Sequence, residues 1–408
     1  MPSIRFIHCA DLHLDRPFHG LADLPPLLAE RVRESTFHSF RRVVDAALRE
    51  AVDFVIIAGD LFDGSFRSLR AQVRFRNETD RLRDAGIQVY VVHGNHDPLG
   101  GEWTALTWPK NVHTFGAEVE MKPFRKNGET LAYLYGFSYR ERTAENQLSF
   151  YKKKPGARFH IGILHGQESS GSGEGVPYAP FKTSDLLEKR FDYWALGHVH
   201  QRNILHENPY IAYPGNIQGL SAKETGEKGC LLVEMSDAGT DIHFLKTNEI
   251  AWRDGFVSID EFESVDELMH ACELLCENER SGSGCLLTIR FGGNGPLHRA
   301  VADETVMEDL LSSLRDGEQE RDDFAWVVNY ANDAHPDWNR DEWKRENHFI
   351  ADLLRVIDED MQEDALEPLL ENRNTHRFAK PLLAERREIV KEAERLLLSE
   401  LLAKGDIQ

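Results

Sequence analysis

The sequence has few cysteines and lacks a long apolar run. It contains five cysteines among 408 residues, and no uninterrupted apolar stretch reaches the roughly 20 residues that a membrane-spanning helix needs. The segment Met1–Phe6 enters a predicted strand directly, which leaves no room for a signal peptide. We therefore expect a cytoplasmic protein.

The cysteines also lack the spacing of a zinc site. Cys272 and Cys276 lie one helical turn apart in an acidic amphipathic segment, not in a CxxC pair. Buried free thiols in a reducing compartment are the expected state of these residues.

Positive charge is scarce. The chain has 48 lysines and arginines against 69 aspartates and glutamates, a formal net charge of -21. Such a balance argues against a protein that holds nucleic acid by its overall electrostatic field. If the substrate is a nucleic acid, a partner is expected to supply much of the binding surface.

The first half of the chain alternates strand and helix patterns. The segments that read as strands are 4–8, 54–58 and 88–92, and those that read as amphipathic helices are 27–50 and 69–85. A β-α-β-α-β order predicts a parallel sheet covered by helices. Ligands of such sheets gather at the carboxyl ends of the strands.

Shorter predicted strands follow from about residue 112. They are 131–135, 160–164, 193–196, 210–213, 229–233 and 242–245. The Gly/Ser-rich segment 167–180 is either a loop that controls access to a site or a plain surface loop.

A second unit is predicted from about residue 250. It begins with a small β-α-β pattern, and the chain ends in helices near 348–370 and from about Pro381 to Ala403. The last helix has an apolar stripe that includes Ile389 and Leu396. The stripe fits docking on a partner helix or packing against the chain itself.

Side chains that can bind metal ions recur at the ends of predicted strands. They are Asp11, His13, Asp60, Asn95, His96, Asp97, His165, His198 and His200. A single one of them could be a loop cap or a structural histidine. Together they predict a centre with two metal ions.

Two-metal centres hydrolyse phosphate esters by acidifying a water and clamping the phosphoryl oxygens. Asp60 follows the most apolar strand and is placed to bridge the two ions. Imidazole with carboxylate and amide oxygen suits Mn, Fe or Zn better than Mg or Ca. No cysteine lies in the set, which argues against a structural zinc.

At these motifs the chain resembles the calcineurin-like metallophosphoesterases, in which DxH, GD, GNHD, a lone His and GHxH follow in this order. Within that family it resembles the DNA-repair exonuclease branch that contains SbcD and Mre11. The motifs are Asp11-Leu12-His13, Gly59-Asp60, Gly94-Asn95-His96-Asp97, His165 and Gly197-His198-Val199-His200. The resemblance implies an α/β fold, a four-layer α/β/β/α sandwich (1–250), with a small α+β capping domain (251–330) and a helical C-terminal region (331–408).

The resemblance also implies a role for each residue. The residues that it assigns to the first metal are Asp11, His13, Asp60 and His200. Those that it assigns to the second are Asp60, Asn95, His165 and His198. His96 would face the scissile phosphate as a catalytic residue, and Asp97 would orient His96 by accepting a hydrogen bond.

The chain departs from archaeal and eukaryotic relatives after the GDLF motif, where Asp63 stands in place of a frequent histidine. Basic and aromatic residues near the motifs could contact a nucleic-acid backbone or bases, or could be ordinary solvated surface. They are Arg16, Arg67, Arg70, Arg74, Lys152, Lys153, Lys154, Lys182, Tyr151 and Tyr178.

The leading hypothesis is a Mn²⁺-dependent DNA exo- or endonuclease that works with an SMC-like coiled-coil ATPase in DNA repair. RNA stays open as a substrate, and a homodimer stays open as the assembly. The alternatives are a phosphodiesterase for small or nucleotide substrates and a catalytically silent scaffold on the same fold. The complete ligand set and His96 argue against the scaffold.

Overall fold

The computed structural model describes most of the first 360 residues. The residues described are 2–21, 24–64, 68–100, 106–143, 147–169, 178–280, 282–336, 343–345, 349–360, 390, 393, 394, 396–398 and 401. Most of the predicted last helix and of the Gly/Ser-rich loop 167–180, together with Arg67, lie outside them.

Strands and helices alternate through the first 92 residues, as predicted. The elements are β1 (Ile4–Cys9), α1 (Pro26–Arg49), β2 (Phe54–Ala58), α2 (Leu69–Asp84) and β3 (Gln88–Val92). Short strands follow, namely β4 (Val112–Thr114), β5 (Glu120–Lys126), β6 (Glu129–Gly136) and β7 (Phe159–His165). Then come α3 (Thr183–Glu188), β8 (Tyr193–Gly197), β9 (Asn203–Glu207), β10 (Tyr210–Tyr213), β11 (Gly229–Ser236) and β12 (Gly239–Lys246).

These strands form two six-stranded sheets. The first has the order β12-β11-β1-β2-β3-β4, and the second has the order β5-β6-β7-β8-β10-β9. In the first sheet β1 to β4 run parallel, and β11 pairs antiparallel with β1. In the second sheet β6, β7, β8 and β10 run parallel. The predicted parallel β-α-β-α-β arrangement is confirmed.

The two sheets pack face to face over one apolar core, which includes Phe6 and Ile56 from the first sheet and Ile161 and Tyr193 from the second. A second core, with Phe40 of α1 among its members, covers the outer face of the first sheet. A third, which contains Leu186 of α3, covers the outer face of the second sheet. The result is the predicted α/β/β/α sandwich.

Burial on both faces explains the composition of the central strands. All five residues of β2, Phe-Val-Ile-Ile-Ala, are buried, and β7 is buried along its whole length. Parallel strands covered on both sides are apolar without alternation. The ends of these strands are therefore fixed by a rigid core.

The chain divides into two compact units. Unit 1 contains residues 1–253, 280–286 and 317–326, and unit 2 contains 254–279, 287–316 and 327–408. The elements after residue 249 are β13 (Ile250–Ser258), α4 (Val265–Glu279), β14 (Gly284–Asn294), α5 (His298–Ala302), α6 (Glu304–Arg315), β15 (Ala325–His335) and α7 (Phe349–Asp360). The three strands form a sheet in the order β13-β14-β15. The division into catalytic, capping and C-terminal regions stays a prediction.

All five cysteines lie among the described residues, where they are buried thiols without a disulfide bond, as predicted. In the described part of the chain, no helix combines the length and apolar character needed to span a bilayer.

Candidate metal centre

The predicted ligands follow the carboxyl ends of strands in both sheets. Asp11, Asp60 and Asn95 come directly after β1, β2 and β3, whereas His165 ends β7 and His198 follows β8. Because the sheets pack face to face, these ends meet at one edge of the sandwich. Two groups of contacts contain all seven predicted ligands.

The first group contains Asp11, His13 and His200, whose ligand atoms lie within 4.8 Å of one another. Nε2 of His13 faces Nε2 of His200 at 3.2 Å. Two ring nitrogens that face each other without a shared acceptor suit a cation placed between them. The same His13 atom lies 3.8 Å from Oδ2 of Asp60.

The second group is centred on Asn95. Its Oδ1 lies 3.0 Å from Nε2 of His165 and 3.1 Å from Nδ1 of His198. Oδ2 of Asp60 lies 3.4 Å from Nε2 of His165. Asp60 therefore contacts members of both groups, which is the geometry that a bridging carboxylate requires.

Four of these residues have a left-handed backbone. The φ angles are 52° at Asp11, 43° at His13, 49° at Asp60 and 101° at His198. Non-glycine residues rarely adopt positive φ, and such conformations cluster at functional sites, where the surrounding structure enforces them. Four of the seven predicted ligands therefore have this strained backbone.

Two motif glycines allow the close approach of the ligands. Gly59 has a φ of 99°, and a Cβ there would lie 2.0 Å from Nδ1 of His165. A Cβ on Gly94 would lie 2.3 Å from Oδ1 of Asp60 and 2.6 Å from Nε2 of His165. Any side chain at either position would push the ligands apart.

The ring nitrogens that face away from the centre are also bound. Nδ1 of His165 lies 3.0 Å from the main-chain oxygen of Ala58, and Nδ1 of His200 lies 2.6 Å from Oε1 of Glu224. Such contacts orient metal-binding histidines and select their tautomer. Glu224 lies in a loop with no recognisable motif, so no signal in the sequence pointed to it.

Burial and charge control the protonation of the cluster. Burial raises the pKa of Asp60, but His165 and His13 outweigh it and hold that pKa well below its usual range. Burial lowers the pKa of His165, but Asp60 and Asp11 together raise it to about 9. Burial lowers the pKa of His13 and of His198 to about 3. These two rings are therefore neutral at physiological pH, the form that binds metal.

His96 and Asp97 each contact residues that were not assigned to them from the sequence. Nδ1 of His96 lies 3.2 Å from Oδ2 of Asp63. Asp97 is fully buried and accepts hydrogen bonds from Nδ1 of His93 at 2.8 Å and from the N–H of Gly94 at 2.8 Å. Asp63 is thus a carboxylate that faces His96, whereas these contacts of Asp97 lie within the segment that follows β3.

Asp63 belongs to a third group, with His13 and His96, whose atoms could hold a cation. A guanidinium already supplies positive charge there. Nη1 of Arg16 lies 3.3 Å from Oδ2 of Asp63 and 3.4 Å from Nδ1 of His13. Arg16 and a metal ion would therefore compete for this position, and the other two groups are the stronger metal candidates.

Several predicted nucleic-acid contacts have other roles. Arg70 and Arg74 form ion pairs with Glu34, and Nζ of Lys153 donates to the main-chain oxygen of Arg190. Tyr151 is 1% exposed, so the prediction that it stacks on a base is wrong. Tyr178 remains half-buried beside the metal centre, with its ring centroid 5.0 Å from that of His198.

The donor set fits two divalent ions. Carboxylate, amide and imidazole atoms, most of them buried, converge within coordination reach, and their mixture suits first-row transition metals. The seven predicted ligands lie together at this edge. Their individual metal-binding roles stay predictions.

The chain was compared with protein families, curated proteins and solved structures. Residues 4–202 match the family model described as calcineurin-like phosphoesterase. The chain is 38% identical over 402 residues to the uncharacterized metallophosphoesterase YhaO of Bacillus subtilis, covering 98% of both chains. It is 30% identical over 253 residues to the DNA double-strand break repair protein Mre11 of Sulfurisphaera tokodaii, covering 58% of this chain and 61% of that one. A dimetal phosphatase from Danio rerio is 13% identical, with a TM-score of 0.35, and covers 61% of this chain and 100% of its own.

The contacts of Asp60 generate a testable prediction. Asp60→Asn keeps the shape of the side chain but removes the charge that two cations would share. We expect Mn²⁺ affinity to fall by more than about 100-fold, beyond the loss that removal of an outer contact causes. Isothermal titration calorimetry measures the dissociation constant for Mn²⁺.

The matched control for this experiment is Asp241→Asn, on the exposed part of β12, which should bind Mn²⁺ as the wild type does. Unchanged affinity in Asp60→Asn would contradict the bridging assignment.

Proposed function

Because this chain belongs to the calcineurin-like phosphoesterases, we propose that it is a Mn²⁺-dependent nuclease that hydrolyses phosphodiester bonds in DNA. The observation that carries the proposal is the convergence of buried carboxylate and imidazole atoms within 4.8 Å of one another. The similarity to Mre11 over 58% of the chain favours DNA among phosphodiester substrates.

We assign two metal positions within the centre. Asp11, His13, Asp60 and His200 would hold the first ion, and the second would be held by Asp60, Asn95, His165 and His198. Bound there, two divalent ions supply Lewis-acid charge to the phosphate and acidify a water molecule. The four imidazole donors in these two sets favour Mn²⁺ over Mg²⁺, which prefers oxygen ligands.

His96 is assigned the proton transfer to the leaving oxygen. Its side chain is 37% exposed and lies 3.2 Å from Asp63 through Nδ1. The ring packs edge-on against that of His13, with centroids 5.0 Å apart. With Nδ1 held by Asp63, Nε2 is the atom free to donate a proton to a substrate at the rim. The charge of Asp63 compensates the positive charge of the protonated ring.

Asp63 in turn is held by Arg16 at 3.3 Å. Burial raises the pKa of Asp63, but the hydrogen bond with His96 and the charges of His96 and Arg16 outweigh it and lower that pKa. We therefore assign Asp63 a positioning role for His96, and the role predicted for Asp97 stays a prediction. Asp97 is assigned to the scaffold that holds the loop after β3.

With a net charge of -21, the chain repels a polyanion such as DNA, so binding DNA requires a positively charged surface from a partner. We propose that an SMC-like coiled-coil ATPase supplies the DNA-binding surface, as in the branch that the chain resembles. Helix α7 offers a surface for it, because Phe349 and Val356 are 64% and 52% exposed. Seven residues apart, they lie on one side of the helix.

The substrate class can be tested directly. We expect the purified Mn²⁺-loaded protein to cleave single- or double-stranded DNA, since two ions and His96 provide the elements of phosphodiester hydrolysis. EDTA should abolish the cleavage and Mn²⁺ should restore it. The assay compares both DNA forms, RNA and bis-p-nitrophenyl phosphate by product analysis, with Asp60→Asn as the inactive control. Cleavage of the small ester alone would contradict the nuclease proposal and favour a small-molecule phosphodiesterase.

The role of His96 predicts a selective defect. His96→Ala should lower kcat by about 10²–10⁴-fold, the usual contribution of general acid–base catalysis. Mn²⁺ binding should stay at the wild-type level, because His96 is not among the assigned ligands. Steady-state kinetics and calorimetry measure the two effects.

The control for this variant is His270→Ala, which replaces a 70% exposed histidine in α4 and should leave both quantities unchanged. Full activity in His96→Ala would rule out the assigned mechanism.

The partner assignment predicts that Phe349→Asp combined with Val356→Asp abolishes co-purification with a coiled-coil SMC-like ATPase of the same organism. Two charges on the apolar side of α7 would oppose burial against a partner helix. Pull-down from cells measures the amount of ATPase that co-purifies. A chain that lacks the residues after 340 is the second variant.

Ile204→Asp, at a 43% exposed position in β9, is the control and should retain the partner. If the α7 variant and the truncated chain both retain the ATPase, docking through this region is wrong.

A further inference from the structure

His200 is oriented by a side chain, whereas His165 is oriented by the main chain. Nδ1 of His200 lies 2.6 Å from Oε1 of Glu224, and its Nε2 points toward His13 at 3.2 Å. Nδ1 of His165 instead donates to the main-chain oxygen of Ala58. A substitution can therefore remove the outer partner of His200 without changing a ligand.

The second oxygen of Glu224 holds the loop in which it lies. Oε2 accepts hydrogen bonds from the N–H of Leu220 at 2.7 Å and from Nδ2 of Asn216 at 2.9 Å. This loop connects β10 of the second sheet with β11 of the first. Both partners of Oε2 are donors, so this position requires an acceptor.

The main chain around His200 is fixed independently. Its oxygen accepts a hydrogen bond from Nζ of Lys228 at 3.1 Å and one from the N–H of Asn216 at 3.3 Å. These bonds hold the backbone of His200, but they do not decide which ring nitrogen carries the proton. That choice depends on the contact with Glu224.

We propose that Glu224 is a positioning residue that selects the tautomer of His200. A carboxylate beside Nδ1 can only accept a hydrogen bond, so Nδ1 carries the proton and Nε2 presents its lone pair to the first metal position. The inference rests on the proposed function, because it requires His200 to be a metal ligand. Its consequence is specific: Glu224 supports the first ion and leaves the second unaffected.

Glu224→Gln separates the two tasks of the carboxylate. The amide oxygen must face the two donors from Leu220 and Asn216, which preserves the loop. The amide nitrogen then faces His200 and donates to Nδ1, which moves the ring proton to Nε2 and removes the lone pair from the metal position. A purely structural role would leave metal binding unchanged in this variant.

The test is a Mn²⁺ titration of the full chain by isothermal calorimetry, together with the melting temperature in EDTA. We expect the wild type to bind two Mn²⁺ ions. Glu224→Gln should bind one of them about 10–100-fold more weakly, with the other affinity and the melting temperature unchanged. Glu224→Ala should weaken the same ion.

Glu227→Gln is the matched control, because Glu227 lies in the same loop but is 57% exposed and paired with Lys246. It should bind both ions as the wild type does.

Two results would overturn the inference. If Glu224→Gln binds both ions with wild-type affinity, Glu224 does not select the tautomer of His200. Weaker binding of both ions together with a lower melting temperature would assign Glu224 to loop stability alone. A wild-type chain that binds fewer than two Mn²⁺ ions would instead overturn the proposed function, and this result is distinguishable from the other two.

Discussion

The rest of the centre depends on how the buried carboxylate of Asp60 is compensated by the groups around it. This side chain is 1% exposed. Burying an ionised carboxylate without compensating partners costs on the order of several kcal/mol. The N–H of His96 donates to it at 2.9 Å, and imidazole nitrogens of His165 and His13 stand at 3.4 and 3.8 Å. The surroundings of Asp60 thus favour positive charge. Without a metal ion, a proton on His165 compensates part of the negative charge of Asp60. A divalent ion would compensate more of it.

The rigid sandwich explains how such a cluster can be held together. β2 is buried on both faces, so the turn that begins at Gly59 has a fixed starting point. Asp97 then joins two loops, because it accepts from the N–H groups of Leu61 at 3.1 Å and Gly94 at 2.8 Å. Left-handed residues such as Asp60 cost on the order of 1–3 kcal/mol each. Hydrogen bonds and core packing hold them against that cost.

The parts that the sequence predicted are those with a local signal. The apolar runs at β1, β2 and β3 indicated parallel strands, and polar residues after each run indicated the ligand edge. β5 and β9 were missed because half-exposed strands such as Asn203–Glu207 carry no apolar run. The pairing of His96 with Asp63 and of His200 with Glu224 depends on how loops fold across the edge, which residue spacing does not reveal. The motif order predicted which residues lie together at this edge, whereas their outer partners are visible only in the structure.

The acidity of the chain and its phosphate chemistry are compatible because they act over different distances. At physiological ionic strength, exposed charges are largely screened beyond about 8 Å, so most of the charge of -21 has little effect at the centre. There, two divalent ions and Arg16, 3.3 Å from Asp63, would act at contact distance on one phosphate. The remaining phosphates of a long strand would meet an acidic surface instead. Under the proposed function, cleaving a phosphodiester and holding a polymer would therefore be separate tasks, and the residues of the centre would serve the first.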